Sequence, residues 1–326
     1  MRHEISVGLP QGVMATTAPA VMCRIIDHSI IFQLCGATAQ RRTVWKKRDI
    51  VRVSTVIIGT IVGWGLIRLL FPILDYYPPE SLINNLERSW FVTAGVRKLA
   101  MMCYGMVALV VMAMLFSVVQ KHWPGRGSFK GFAFGASFGV VWFFGFLGGW
   151  AFLGTTLGAE LLNGFVDLVP LAVAGWLIGL AVGRDVPQSG QRVPRPWLAI
   201  VLVAFGFVAV HAVGATFLDD LVGPASSLLF VPTNPLQIAL LAGLGLWVGG
   251  MYLVLRAGLP GESTWAGVAF FAFGVFGFSW TWFHLFLVII DLAGLLHVGL
   301  LAGLMGAVGV FAGALSYEWL ARALPR

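Results

Sequence analysis

Long runs of apolar residues alternate along this chain with short stretches that hold most of its charged residues. A helix of about twenty apolar residues is long enough to cross the roughly 30 Å hydrocarbon core of a bilayer. The pattern predicts eight such helices, at about residues 51–74, 99–119, 129–153, 162–182, 197–218, 236–257, 265–289 and 294–316. The predicted fold class is therefore an all-α integral membrane protein with eight transmembrane helices.

Composition supports this prediction. Hydrophobic residues make up 59% of the 326 residues and charged residues 11%, whereas about a quarter of a soluble domain is charged. The chain has 41 glycines and 13 tryptophans. Glycine is favoured where membrane helices pack closely, and tryptophan where a helix meets the lipid headgroups. The lipid bilayer is thus the first predicted partner.

The positions of the basic residues predict the orientation of the chain. Most of the 21 lysines and arginines fall in segments on one side of the predicted spans, beginning with a basic stretch before the first span. Cytoplasmic segments of membrane proteins carry this excess, so both termini are predicted to be cytoplasmic and the protein to lie in the cell inner membrane. The net charge of +7 is explained in this way, and a nucleic-acid partner is not expected.

An internal repeat relates the two halves of the chain. The segment 124–183 resembles 260–306: both begin with Pro-Gly, and Val166-Asp167-Leu168 later corresponds to Ile290-Asp291-Leu292. Four crossings return a chain to its starting side, so the halves are predicted to be tandem, parallel-oriented four-helix repeats. The predicted organisation is a disordered cytoplasmic tail at 1–44, a first repeat at 45–183, a cytoplasmic linker at 184–196 and a second repeat at 197–326.

Glycines four residues apart place small residues on one face of several helices. Three such runs are Gly131-Gly135-Gly139, Gly175-Gly179-Gly183 and Gly299-Gly303. Such faces let two helix backbones approach closely. We interpret them as packing seams within the chain, and a homo-oligomer or a membrane-protein partner bound through them is the alternative.

Ionisable residues inside predicted membrane spans are candidates for function because burying them in lipid is costly. Most of them are predicted to lie toward the non-cytoplasmic side. Asp167 and Asp291 correspond in the two repeats and are expected to cap the helix that follows each of them. The candidate transport or relay residues are Arg68, Asp167, His211, His284, Asp291 and His297.

The three histidines have no counterpart in the first repeat. With Asp291, the imidazoles of His211, His284 and His297 would suit a borderline metal ion or a proton relay. The alternative is that each histidine only hydrogen-bonds to a neighbouring group. The sequence does not identify a cofactor.

Two functions from different classes follow. The first is a protein that moves a small solute or ion, or gates its passage, along the interface of two four-helix halves. The second is a non-enzymatic membrane subunit that binds haem, a metal or another membrane protein. An enzyme is less favoured: HExxH and GxxxxGK[ST] are absent, and Gly135-Ala136-Ser137-Phe138-Gly139 differs from the GxSG of intramembrane serine proteases by one position, with no histidine following in that half.

Overall fold

The computed structural model describes residues 46–70, 81, 86–187, 193–222, 228–261, 264–292 and 295–323. The fold is that of the unit Lys47–Arg326. The predicted tail at 1–44 lies outside the described residues.

The described part of the chain contains eight helices that are long and apolar enough to cross a membrane. The prediction of eight spans is therefore confirmed. Most boundaries lie within a few residues of the predicted ones. The helices are α1 (Lys47–Leu70), the short α2 (Trp90–Thr93), α3 (Arg97–Val119), α4 (Gly127–Leu153), α5 (Leu157–Val182), α6 (Pro196–Val222), α7 (Pro235–Leu255), α8 (Thr264–Ala269), α9 (Gly277–Phe286) and α10 (Leu296–Ala323).

The seventh span, Thr264–Asp291, is not a uniform α-helix. A π-helical segment, Phe270–Phe276, joins α8 to α9, and a second one, Leu287–Asp291, follows α9. π-helical turns are uncommon and occur often at functional sites. This span is the one that differs most from regular helical geometry among the described residues.

Successive spans run in opposite directions, so the fold has two faces. We call the face where α1 begins the proximal face, and the face where α1 ends the distal face. At the distal face Gly154 closes α4 with a left-handed backbone (φ 69°), a conformation that glycine adopts without steric cost. The chain therefore turns within three residues, and α5 begins at Leu157 rather than near 162.

Glycines bring α4 and α5 into backbone contact. A Cβ atom on Gly131 would lie 2.2 Å from the carbonyl oxygen of Gly175, and one on Gly135 would lie 2.2 Å from that of Leu171. A second close contact joins α6 to α10, where a Cβ on Gly313 would lie 2.3 Å from the carbonyl oxygen of Leu202. The glycine runs of α4 and α5 are thus packing seams within the chain.

Large apolar side chains also cover the outside of the helices. Phe205 on α6 is 72% exposed, and Leu66, Val110 and Leu304 on three other helices are about half exposed. A water-soluble helix would carry polar groups on its outer face. The apolar outer surface therefore indicates a lipid bilayer as the surroundings of this multi-pass protein.

Candidate functional site

Arg68, at the distal end of α1, forms a buried ion pair with Asp167 of α5. The guanidinium Nη2 lies 2.7 Å from Oδ1 of Asp167, and the indole Nε1 of Trp64 donates to the same oxygen at 2.7 Å. Nη1 of Arg68 also donates to Oδ1 of Asn163 at 3.4 Å. Asp167 lies ten residues inside α5, so the expectation that it caps a helix is wrong; a charge from another helix neutralises it instead.

Arg97, at the distal start of α3, pairs with Asp291 at the end of the seventh span. Nε lies 2.5 Å from Oδ1 and Nη2 lies 3.2 Å from Oδ2, which makes the pair bidentate. Ser89 holds the same turn, because its backbone N–H donates to the carbonyl of Asp291 and its hydroxyl donates to that of Ile290. Asp167 and Asp291 thus both pair with an arginine, but with arginines from different helices.

Glu160 is a further buried acid and is not one of the predicted transport or relay residues. It lies in the first turn of α5 with 5% of its surface exposed. Its carboxylate packs against Gly149 of α4, close to the hydroxyl of Thr155, and interacts with Asn163 and Arg68. The predicted span begins at residue 162, so Glu160 falls before it, although Leu157, Gly158 and Ala159 could have indicated an earlier start.

A cavity of about 50 Å³ lies among these groups. On this measure a single water needs roughly 10–15 Å³, so the cavity has room for several waters or one small molecule. Its walls combine two arginines, an acid, an amide and an imidazole with a ring of phenylalanines and aliphatic side chains. The polar residues that line it are Arg68, Arg97, Glu160, Asn163 and His284, and the phenylalanines are Phe146, Phe230, Phe283 and Phe286.

His284 connects the cavity to the seventh span. Its Nδ1 lies 3.0 Å from the carbonyl oxygen of Trp280. Since a carbonyl only accepts, Nδ1 carries a hydrogen, and in the neutral ring Nε2 then carries the lone pair. That Nε2 is buried without a hydrogen-bond partner, so His284 presents an unused acceptor beside the cavity.

His211 of α6 has the same arrangement as His284. Its Nδ1 lies 2.9 Å from the carbonyl oxygen of Phe207, and its Nε2 is buried without a partner. Both imidazoles contact the same group of aromatic side chains. The ring of Phe207 lies 4.4 Å from that of His211 and 5.9 Å from that of Trp280, and Trp280 contacts His284. The two rings are close enough to interact electrostatically.

His297 does not share this environment. It is exposed at the start of α10, whereas His211 and His284 are buried. Among the described residues, no group of three or more His, Cys, Asp or Glu side chains is arranged to hold a metal ion. The structure thus brings together Arg68, Asp167 and His284 around the cavity and places Asp291 behind Arg97 at its edge.

Several buried polar atoms near the cavity have no hydrogen-bond partner within the protein. Besides the two imidazole Nε2 atoms, they are Nε of Arg68 and the hydroxyl of Thr155, with the hydroxyl of Ser279 and the indoles of Trp280 and Trp282 nearby in the seventh span. Nearly all buried polar groups in native proteins have a partner. Such a concentration indicates a place where water or a ligand completes the bonding.

Comparisons of the chain with protein-family models, with curated proteins and with solved structures found no significant match.

Proposed function

We propose that this multi-pass membrane protein moves a small polar solute or ion, or gates its passage, by way of the distal cavity. One observation carries the proposal: a cavity large enough for a small molecule lies between the distal ends of several apolar helices and is lined by ionisable side chains from them. Burying such groups in a membrane is costly, and they commonly mark the path of an ion or substrate.

We also propose that α1, α3, α4 and α5 form one half of the protein, and α6, α7, the seventh span and α10 a second half with the same orientation. Corresponding helix contacts support this arrangement. In each half the first helix packs on the second and the fourth, and the third packs on the fourth. The third helix of each half also packs on the second helix of the other.

The cavity lies where these two halves meet. Arg68, Glu160 and Asn163 come from the first half, and Phe283 and His284 come from the second. Substrate sites of repeat-built transporters lie at the interface of their repeats near the middle of the membrane. Relative movement of the halves would therefore change the shape of this cavity and the access to it.

The proximal face is proposed to be cytoplasmic, with the protein in the cell inner membrane. Support comes from the lysines and arginines, most of which belong to segments at the proximal ends of the spans, including both termini. The positive-inside bias predicts this orientation. The cavity would then bind a solute from the non-cytoplasmic side.

Permeability of reconstituted vesicles tests the proposed function. Purified protein is incorporated into liposomes, and stopped-flow light scattering follows their reswelling in a panel of small cations, anions and neutral solutes. At least one solute is expected to enter faster than it enters protein-free liposomes. A protein that accelerates none of them overturns the proposal.

Two substitutions on neighbouring residues of α5 assign the passage to the cavity. Asn163 lines the cavity, whereas Leu162 is 38% exposed on the outside of the same helix turn. Asn163→Phe is expected to abolish the accelerated entry by filling the space, and Leu162→Phe is expected to preserve it. Accelerated entry that is preserved in both variants would exclude this cavity as the path.

A second proposed function is a subunit that binds a metal or haem through His211 and His284. Its support is that both Nε2 atoms are buried and unpartnered and that both rings contact the same group of aromatic side chains, and imidazole nitrogen suits zinc, copper and iron. Purified protein would then carry stoichiometric metal or absorb in the Soret region, and His211→Ala with His284→Ala would remove that signal. Metal-free, colourless protein from metal- and haem-supplemented cells would exclude this function.

A further inference from the structure

The charges around the cavity define which ligands it can accept. Arg68 is neutralised by Asp167, and Arg97 is neutralised by Asp291. Glu160 is the third acid of the region and interacts with Arg68 without forming a close ion pair like that of Asp167. With both arginines occupied, ionisation of Glu160 gives the site an excess of one negative charge.

Besides the donor Nε of Arg68, two unused groups at or beside the cavity can accept a hydrogen bond. Nε2 of His284 carries a lone pair, because Nδ1 is engaged with the carbonyl of Trp280. The hydroxyl of Thr155, next to the carboxylate of Glu160, has no partner and can accept as well as donate. A ligand that carries several N–H donors and a positive charge would satisfy these atoms together.

The walls of the cavity favour an organic or ammonium cation over a hydrated metal ion. Four phenylalanines line the space, and aromatic faces attract cations, most strongly when the cation is desolvated. Alkali ions prefer a complete shell of oxygen ligands, whereas this site adds an imidazole nitrogen and aromatic faces to the carboxylate oxygens of Glu160. An anion would lie beside the carboxylate of Glu160 and be repelled by it.

The volume limits the size of the ligand. The cavity of about 50 Å³ would hold ammonium or a primary amine with very few carbon atoms. A larger amine would need Phe283 or Phe286 to move. The ring of Phe283 packs directly against Gly145, since a Cβ atom at that position would lie 2.4 Å from the ring.

We propose that the distal cavity binds ammonium or a small primary amine, with the carboxylate of Glu160 as its counter-charge and Nε2 of His284 as an acceptor for one of its N–H groups. The inference rests on the proposed function, since it names the class of substrate that the cavity would pass. The binding step itself is independent of transport and is measured separately.

Equilibrium binding of radiolabelled methylammonium to the purified full-length protein in detergent tests this inference. The wild-type protein is expected to bind it saturably, with unlabelled ammonium competing and sodium or potassium at the same concentration not competing. Absence of saturable binding overturns the inference. Competition by sodium or potassium as strong as that by ammonium overturns it as well, because it indicates a general cation site.

Three variants assign the binding to the named residues. Glu160→Gln removes the charge in nearly the same shape and is expected to weaken binding about tenfold or more, as expected for losing a charge-assisted hydrogen bond. His284→Phe removes the acceptor while filling the same aromatic space, and a loss of several-fold is expected. Glu87→Gln changes an exposed acid at the distal face and is the matched control, with binding unchanged.

Wild-type binding in both Glu160→Gln and His284→Phe would overturn the assignment. Gel filtration and thermal unfolding verify that each variant is folded. If a variant does not fold, the competition of ammonium, sodium and potassium on the wild-type protein still tests whether the cavity binds ammonium selectively. Binding without any solute entry into liposomes would remove the proposed transport function and leave this inference standing. Entry of another solute without methylammonium binding would overturn this inference and leave the proposed transport function standing.

Discussion

The distal and proximal halves of this protein both bury charged side chains, but among the described residues the buried charged group with an unpartnered polar atom, Arg68, lies on the distal side. On the proximal side, Arg256 holds Glu318 in a bidentate pair at 2.5 and 2.8 Å, and the hydroxyl of Tyr252 donates to the same carboxylate at 2.6 Å. Lys130 is completely buried and donates to two backbone carbonyls at 2.9 Å, those of Gln120 and Trp123.

The distal side contrasts with this arrangement. Among the described residues, the unpartnered buried side-chain atoms lie in the distal half or near mid-depth, and they include Arg68 Nε, Thr155 Oγ1 and His284 Nε2. A cavity lies beside them. Satisfied buried charges stabilise the contact between helices, whereas unsatisfied ones beside a space provide the groups that a ligand needs. The contrast separates structural charges from candidate functional ones.

The largest expected effect is on the distal ion pair. Arg68→Met leaves the carboxylate of Asp167 buried without its cation, and removing one partner of a buried pair typically costs about 3–5 kcal/mol. Thermal unfolding of the purified protein in detergent, followed by tryptophan fluorescence, measures the loss. Asp167→Asn added to Arg68→Met removes the isolated charge and keeps an acceptor for Trp64, so most of the stability is expected to return.

Failure of the second substitution to restore stability would show that Arg68 contributes through its packing rather than its charge. In that case the distal pair would not be comparable with the proximal one.

A smaller effect is expected for the proximal hydroxyl. Tyr252→Phe removes one hydrogen bond to the charged carboxylate of Glu318, which is expected to lower stability by about 1.5–3 kcal/mol. The same unfolding experiment measures it. Solute entry into liposomes is expected to be unchanged, because this residue belongs to the satisfied side. A normal stability with altered entry would reverse the roles of the two sides.

The smallest effect on stability is expected for the unpartnered hydroxyl. Thr155→Val puts a methyl group of similar size in place of a hydroxyl that lies beside the carboxylate of Glu160 without a hydrogen bond of good geometry. Its stability is expected to stay within about 0.5 kcal/mol of the wild type or to rise, because no satisfied bond is lost. A loss as large as that of Tyr252→Phe would mean that Thr155 is a structural group, and the contrast between the two sides would weaken.

The spans could be predicted from sequence because length and hydrophobicity alone determine whether a helix crosses a bilayer. The close packing of α4 on α5 was also predictable, since glycines four residues apart lie on one face. The pairing of Arg68 with Asp167 was not, because it joins residues 99 apart and depends on how two helices are rotated against each other.

The burial of Glu160 could not be predicted from the sequence for a different reason. The boundary of α5 depends on the left-handed backbone of Gly154, and Gly148, Gly149, Gly154 and Gly158 offer several positions at which the turn could fall. Burial of His211 and His284, and the exposure of His297, likewise depend on helix rotation. The sequence could therefore indicate which residues were unusual for a membrane, but not which of them meet.

The π-helical segment Phe270–Phe276 has a consequence for the evolution of the cavity. Successive residues of an α-helix are about 100° apart around its axis, and a wider turn changes the direction in which every later residue points. Loss of a single residue from this segment would turn His284 by about that angle, away from the space it now borders. A one-residue deletion in the seventh span would thus turn the acceptor away from the cavity although His284 itself is retained.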